Sequence, residues 1–158
     1  MKDFDIDDRV RKATALFMDG YNCAQSVFLA YADLFGLPLD LARNLSVSFG
    51  GGMGRMREVC GTVSAMAMLA GLKYPVADPK DMAARKRNYG MVQQVAGEFK
   101  SKYQTLVCRD LLQAADAAKN DPAPSERTAE YYRKRPCARY VAEAARIAGR
   151  MLKEETAV

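Results

Sequence analysis

Apolar residues recur along this chain at intervals of three and four, and nowhere does the sustained alternation of a half-buried strand appear. Ile6, Val10, Ala13 and Phe17 fall on one helical face, which predicts a first helix over Ile6 to Met18 with Gly20 as its stop. Asp3, Asp5, Asp7 and Asp8 read as a solvated acidic start suited to the N-terminus of that helix. A second helix starts at Asn22, a favourable cap residue, and continues through Val27, Tyr31 and Leu34 to Gly36. A third begins at Pro38 and ends in the run Gly50-Gly51-Gly52-Met53-Gly54. The fourth, from about Glu58 to Gly71, is apolar nearly all round and rich in small residues, so it is expected in the middle of the fold. Asp78 is placed to cap a long fifth helix with an inward face of Met82, Tyr89, Val92, Ala96, Phe99 and Tyr103. A short helix over Cys108 to Ala118, a surface loop over Asn120-Asp121-Pro122-Ala123-Pro124, and one or two helices from Ser125 to Glu155 punctuated at Pro136 complete the pattern. The expectation is an all-α fold, a compact bundle of about six to eight helices around a central small-residue-rich helix, forming a single domain over residues 1–158.

Composition agrees with a folded domain. Of 158 residues, 49% are apolar and 27% charged, enough for a hydrophobic core without a disulfide framework. The most apolar stretch, Val59 to Leu72, is interrupted by Gly61, Ser64 and Gly71 and falls short of the roughly 20 apolar residues of a membrane span. The charged N-terminus lacks a secretory pattern, so a cytoplasmic location is expected. The net charge of +5 raises the question of an anionic partner, with Arg85-Lys86-Arg87 and Arg133-Lys134-Arg135 as the basic clusters. No nucleic-acid motif accompanies them, so they read as solvated helix faces and no nucleic-acid partner is expected. Histidine is absent, which removes the usual general base and every mixed Cys/His zinc pattern.

Chemistry therefore rests on Cys23, Cys60, Cys108 and Cys137. Their separations match neither the paired knuckles of common zinc sites nor the compact runs of bacterial ferredoxins. Position within the helices says more. Cys23 follows the cap Asn22, Cys60 opens the helix after the glycine run, Cys108 follows Thr105 and Cys137 follows Pro136, so all four fall in expected first turns. Free backbone N–H groups and the positive end of the helix dipole gather there, and both favour thiolate over thiol. If the four ends converge, the thiolates meet one another or a metal cluster. The bland alternative is that each cysteine packs as a small hydrophobe in a non-catalytic helical module, such as a homodimer joined through apolar helix faces.

Phe49-Gly50-Gly51-Gly52-Met53 followed by Cys60-Gly61, with Asn22-Cys23-Ala24-Gln25 before it and Cys108-Arg109-Asp110-Leu111-Leu112 and Cys137-Ala138-Arg139-Tyr140 after it, resembles the C_GCAxxG_C_C family of redox-active proteins. The resemblance covers the chain from about Ala13 to Leu152. The family's central Cys-Gly-Ala-x-x-Gly stands here as Cys60-Gly61-Thr62-Val63-Ser64-Ala65, with two small replacements. The resemblance implies a helical fold and a cysteine-based redox role, and supplies no substrate or partner protein.

Two redox mechanisms follow. In one, the four cysteines ligate an iron–sulfur cluster of the two-iron kind, or another metal, and transfer electrons, with Gly51, Gly52 and Gly61 as the backbone positions beside the cofactor. In the other, two of them form a reversible disulfide and exchange it with a partner thiol. The triple glycine also resembles an anion cradle for which Arg55 or Arg57 would provide charge, but a tight turn that lets Cys60 sit in a crowded centre accounts for it better. Met53, Met56, Met66 and Met68 read as packing rather than soft-metal ligands, and Tyr131-Tyr132 as amphipathic packing rather than a stacking platform.

Overall fold

The computed structural model describes residues 1–113 and 115–155. Among them the architecture is helical, and the extended pairing is a single antiparallel bridge between Val59 and Val107. Helix α1, Ile6–Met18, is opened by Asp5, whose carboxylate accepts the Asp8 backbone N–H at 2.8 Å, and it buries Val10, Ala13 and Phe17. Helix α2, Cys23–Tyr31, starts in a capping box. Asn22 Oδ1 accepts from the Gln25 N–H at 2.9 Å, and Gln25 Oε1 accepts from the Asn22 N–H at 3.2 Å. A 3₁₀ turn, Ala32–Phe35, then leads to a left-handed Gly36.

Helix α3 is Leu39–Val47, and α4 is the single distorted turn Gly50–Met53. Helix α5, Gly61–Lys73, packs against α2, and both are largely buried, so two helices rather than one run through the centre. Helix α6, Met82–Tyr103, lies on α5. Its cap is Asp81 rather than Asp78, and its buried residues are Ala84, Val95 and Phe99. Met82 and Tyr89 stand in solvent, on the side of α6 turned away from the buried Ala84, Val95 and Phe99.

The expected helix from Cys108 to Ala118 is broken. Helix α7 is Cys108–Leu112, Gln113 takes a left-handed φ of 56°, residue 114 lies outside the described residues, and a 3₁₀ turn spans Ala115–Ala118. Helix α8 is Ala129–Lys134, capped by Thr128. Helix α9, Cys137–Lys153, carries the clearest apolar stripe, from Tyr140 to Leu152, and packs on α1, α2, α5 and α6. Two buried tyrosines tie it down. Tyr31 Oη donates to the Ala145 carbonyl at 2.7 Å, and Tyr140 Oη donates to the Leu111 carbonyl at 2.8 Å. No helix of the described residues is long and apolar enough to cross a membrane.

Candidate functional site: four helix starts around one cavity

Each cysteine sits where a helix begins. Cys23, Cys108 and Cys137 are the first residues of α2, α7 and α9, and Cys60 caps α5. All four line one cavity of about 460 Å³. The Val59–Val107 bridge aligns two of these starts, since the Cys60 N–H donates to the Leu106 carbonyl at 2.8 Å and the Cys108 N–H donates to the Glu58 carbonyl at 2.6 Å. Tyr140, one turn into α9, holds the end of α7 by its bond to Leu111, which relates Cys137 to Cys108.

The four thiols are free, and their surroundings differ. Cys23 and Cys60 share a hydrogen bond, and the backbone N–H groups of Gly51, Ala24 and Gly61 point at the Cys23 sulfur. The Cys60 hydrogen bond and these N–H donors hold the Cys23 thiol well below its ordinary value, and the same charge on Cys23 together with burial holds Cys60 well above. Of the two, Cys23 is the thiol that loses its proton first. Cys60 lies 3.1 Å from the Thr62 hydroxyl. Burial pushes the Cys108 thiol up, despite Arg57 Nη1 at 3.8 Å. Burial, and then the charge on Cys23, push Cys137 up to about 12.

The expected backbone positions lie at this pair. Gly51 and Gly61 donate to Cys23, and Gly52 packs against Cys108, where a Cβ would stand 2.6 Å from the Cys108 Cβ. The approach to Cys60 is conformationally tense. Gly51, Gly52 and Gly54 have left-handed φ, and so do Met53, Arg55 and Arg57, three residues with side chains. Such positions cost about 1–3 kcal/mol each and persist only where their surroundings enforce them.

Two groups in the cavity wall stand where the sequence pointed to other parts for them: Arg57 to charge for a glycine cradle, Tyr131 to packing. Arg57 is 2% exposed; its Nε donates to the Lys119 carbonyl at 2.9 Å, and its Nη2 has no partner. Tyr131, expected only to pack, also lines the cavity, with the guanidinium carbons of Arg127 and Arg135 at 4.7 and 4.5 Å from its ring centroid. Its neighbour Tyr132 does pack, edge-on against Phe17. No local pattern announces a buried arginine, because residues of that type usually face water. The methionines stand apart from the cavity: Met53 and Met56 are exposed, and Met66 is in the core.

Among the described residues no three cysteine, aspartate or glutamate side chains gather tightly enough to hold a single metal ion. A family model described as "Putative redox-active protein (C_GCAxxG_C_C)" matches residues 21–151. No curated protein and no solved structure matches the chain.

Proposed function

Because the chain belongs to the C_GCAxxG_C_C family, we propose that it is a dithiol redox protein in which Cys23 is the attacking thiolate and Cys60 the resolving thiol. The place of the Cys23 sulfur carries this reading: it lies 2.6 Å from where a Cβ on Gly61 would stand, at the start of the helix that Cys60 caps, and of the two thiols Cys23 loses its proton first. The Cys23 thiolate attacks one sulfur of a partner disulfide; that S–S bond breaks, a mixed disulfide forms, and the first partner sulfur leaves as thiolate. Cys60 gives its proton to that thiolate and attacks the Cys23 sulfur, which releases the second partner thiolate and forms the Cys23–Cys60 disulfide. Two protein thiols are oxidised by two electrons, and one disulfide is reduced to two thiols.

A second reading is favoured by one observation, that all four cysteine sulfurs belong to the wall of a single cavity. Thiolate is the ligand type of iron–sulfur centres, and a cluster separates its ligands more widely than one ion does, so the donor set fits a cluster better than a lone metal. Cys23, Cys60, Cys108 and Cys137 would hold it, and it would supply single-electron transfer. The surrounding chain would supply N–H donors from Gly51 and Gly61 to the ligand sulfur of Cys23.

Chain purified without oxygen, assayed for iron and acid-labile sulfide and then oxidised with diamide, separates the two. The dithiol reading expects less than one iron per chain and a single Cys23–Cys60 disulfide in the peptide map. Stoichiometric iron and sulfide, or a disulfide joining Cys108 to Cys137 instead, would overturn it.

A further inference from the structure

A cationic side chain sealed inside a protein and left without a partner is costly, because removal from water is repaid only by an opposing charge or a full set of hydrogen bonds. Arg57 is satisfied at one end only, where its Nε donates to the Lys119 carbonyl at 2.9 Å. Its side chain is 2% exposed, its Nη2 meets no acceptor, and its backbone is held at a left-handed φ of 60°. Its backbone N–H bonds the Gly51 carbonyl at 3.2 Å and its carbonyl accepts from Arg109 at 3.2 Å, so the fold holds this residue in place. Cys108, whose sulfur lies 3.8 Å from its Nη1, is held toward the neutral thiol by burial and so does not neutralise the guanidinium.

The rest of the wall adds further cations, one of which, Arg55, has the Asp121 carboxylate at 3.9 Å. Arg55, Arg127 and Arg135 line the cavity with Arg57, and none of the described lining residues is acidic. Phe17, Leu111, Leu112, Tyr131 and Tyr140 make the remaining surface largely hydrocarbon. At about 460 Å³ the space lies in the range of sites for small organic ligands, roughly 300–1,000 Å³, and is far larger than a bare oxyanion requires. Arginine presents a planar fork that matches a carboxylate or a phosphate. The position of Arg57 beside Gly51, whose Cβ would lie 3.6 Å from Arg57 Nη1 and whose N–H serves the Cys23 sulfur, puts anion recognition next to the attacking thiolate.

We propose that the cavity takes a small organic disulfide bearing a carboxylate or phosphate, with the acidic group seated on the Arg57 guanidinium and the disulfide directed to Cys23. The reactive half of this assignment rests on the dithiol reading above, whereas the anionic half rests on Arg57 and its cavity.

Titration calorimetry on the reduced full chain tests the anionic half alone, with S-methylglutathione as a carboxylate probe and S-methyl phosphopantetheine as a phosphate probe, neither of which has a disulfide. Saturable binding by at least one is expected. Esterifying the acidic groups of the bound probe, or substituting Arg57→Gln, should weaken it about tenfold or more, as removal of a charged hydrogen-bond partner does, with Arg57→Lys intermediate. Binding by neither probe, or equal binding of acid and ester, overturns the proposal; the ester comparison uses the natural chain and stands even if Arg57→Gln fails to fold. Oxidation of the chain by glutathione disulfide and by its ester reads the reactive half. Exchange with the acid at least about tenfold faster supports the whole assignment. Equal rates overturn the anion site and leave the dithiol reading intact. Acid-selective binding of the probes with no exchange by either disulfide sinks the dithiol reading and leaves the anion site.

Discussion

The sulfur of Cys23 lies 2.6 Å from where a Cβ on Gly61 would stand, so the glycine after Cys60 is the space that Cys23 occupies. The same Cβ would lie 2.7 Å from the Phe49 carbonyl oxygen, a backbone atom that cannot swing aside. This contact gives the Cys-Gly step of the family motif a physical meaning: the helix start carrying one cysteine must be bare for the other to reach it.

Gly61→Ala is accordingly expected to destabilise the chain by about 1–3 kcal/mol through overpacking, although alanine is the better helix former. Gly97, exposed on α6 with nothing within 4 Å of its missing Cβ, is the control. Gly97→Ala should stabilise by about 0.5–1 kcal/mol. Urea denaturation of both variants checks the pair, and a stabilised Gly61→Ala would show that the close approach is not enforced.

Reactivity should depend on pH at one cysteine first. Since the first proton leaves the Cys23–Cys60 pair below the ordinary thiol range, the Cys23 alkylation rate should already be on its plateau near neutral pH and fall as acid protonates the thiolate. Cys108 and Cys137, both pushed up by burial, should react only at far higher pH or after unfolding. Iodoacetamide labelling followed by peptide mass spectrometry across pH reads this directly. Four cysteines labelling together near the usual thiol value would remove the N–H cradle from the argument.

The parts of this fold legible in the sequence are those decided within one or two helical turns. The bounds of α1 follow from Asp5, the apolar stripe and Gly20, and the placement of Cys23, Cys60 and Cys137 at helix starts follows from Asn22, the glycine run and Pro136; Cys108 also begins a helix, but Val107 rather than Thr105 stands at its cap. What was hidden depends on partners far along the chain. The inward face of α6 was misjudged because Met82 and Tyr89 fall on the side of the helix away from Ala84, Val95 and Phe99, which meet the core. The Val59–Val107 bridge has no periodicity to detect, being a single residue pair, and yet it sets Cys60 beside Cys108. The stop at Gln113 is a left-handed residue that is not glycine, a conformation imposed by its surroundings rather than by its type.

Tyr140→Phe separates the support of the site from its chemistry. Tyr140 Oη donates to the Leu111 carbonyl at 2.8 Å from a nearly buried position, and its loss should cost about 1–2 kcal/mol. The effect should appear locally as well, because this bond holds α7 against α9. Cys108, at the start of α7, is expected to label faster in the variant while Cys23 keeps its rate. Equal acceleration at both sites would mean that the whole cavity had loosened.

Thr62 is one of the two positions, with Ala65, where this chain departs from the family motif; it puts a hydroxyl in place of the alanine methyl, and that hydroxyl lies 3.1 Å from the Cys60 sulfur. Donated to the dithiol pair, it stabilises the negative charge of the reduced state and has no comparable task once the sulfurs are joined. Stabilising the reduced form raises a disulfide's reduction potential. Thr62→Val keeps the branched shape, removes the donor and should lower the midpoint of the Cys23–Cys60 couple. A net hydrogen bond of about 1 kcal/mol corresponds to roughly 20 mV for two electrons. Equilibration against dithiothreitol buffers, with the disulfide quantified by mass spectrometry, resolves a shift of that size. A midpoint that stays in place or rises would mean that the hydroxyl does not act on the couple, and the threonine would then be filling the alanine position without tuning it.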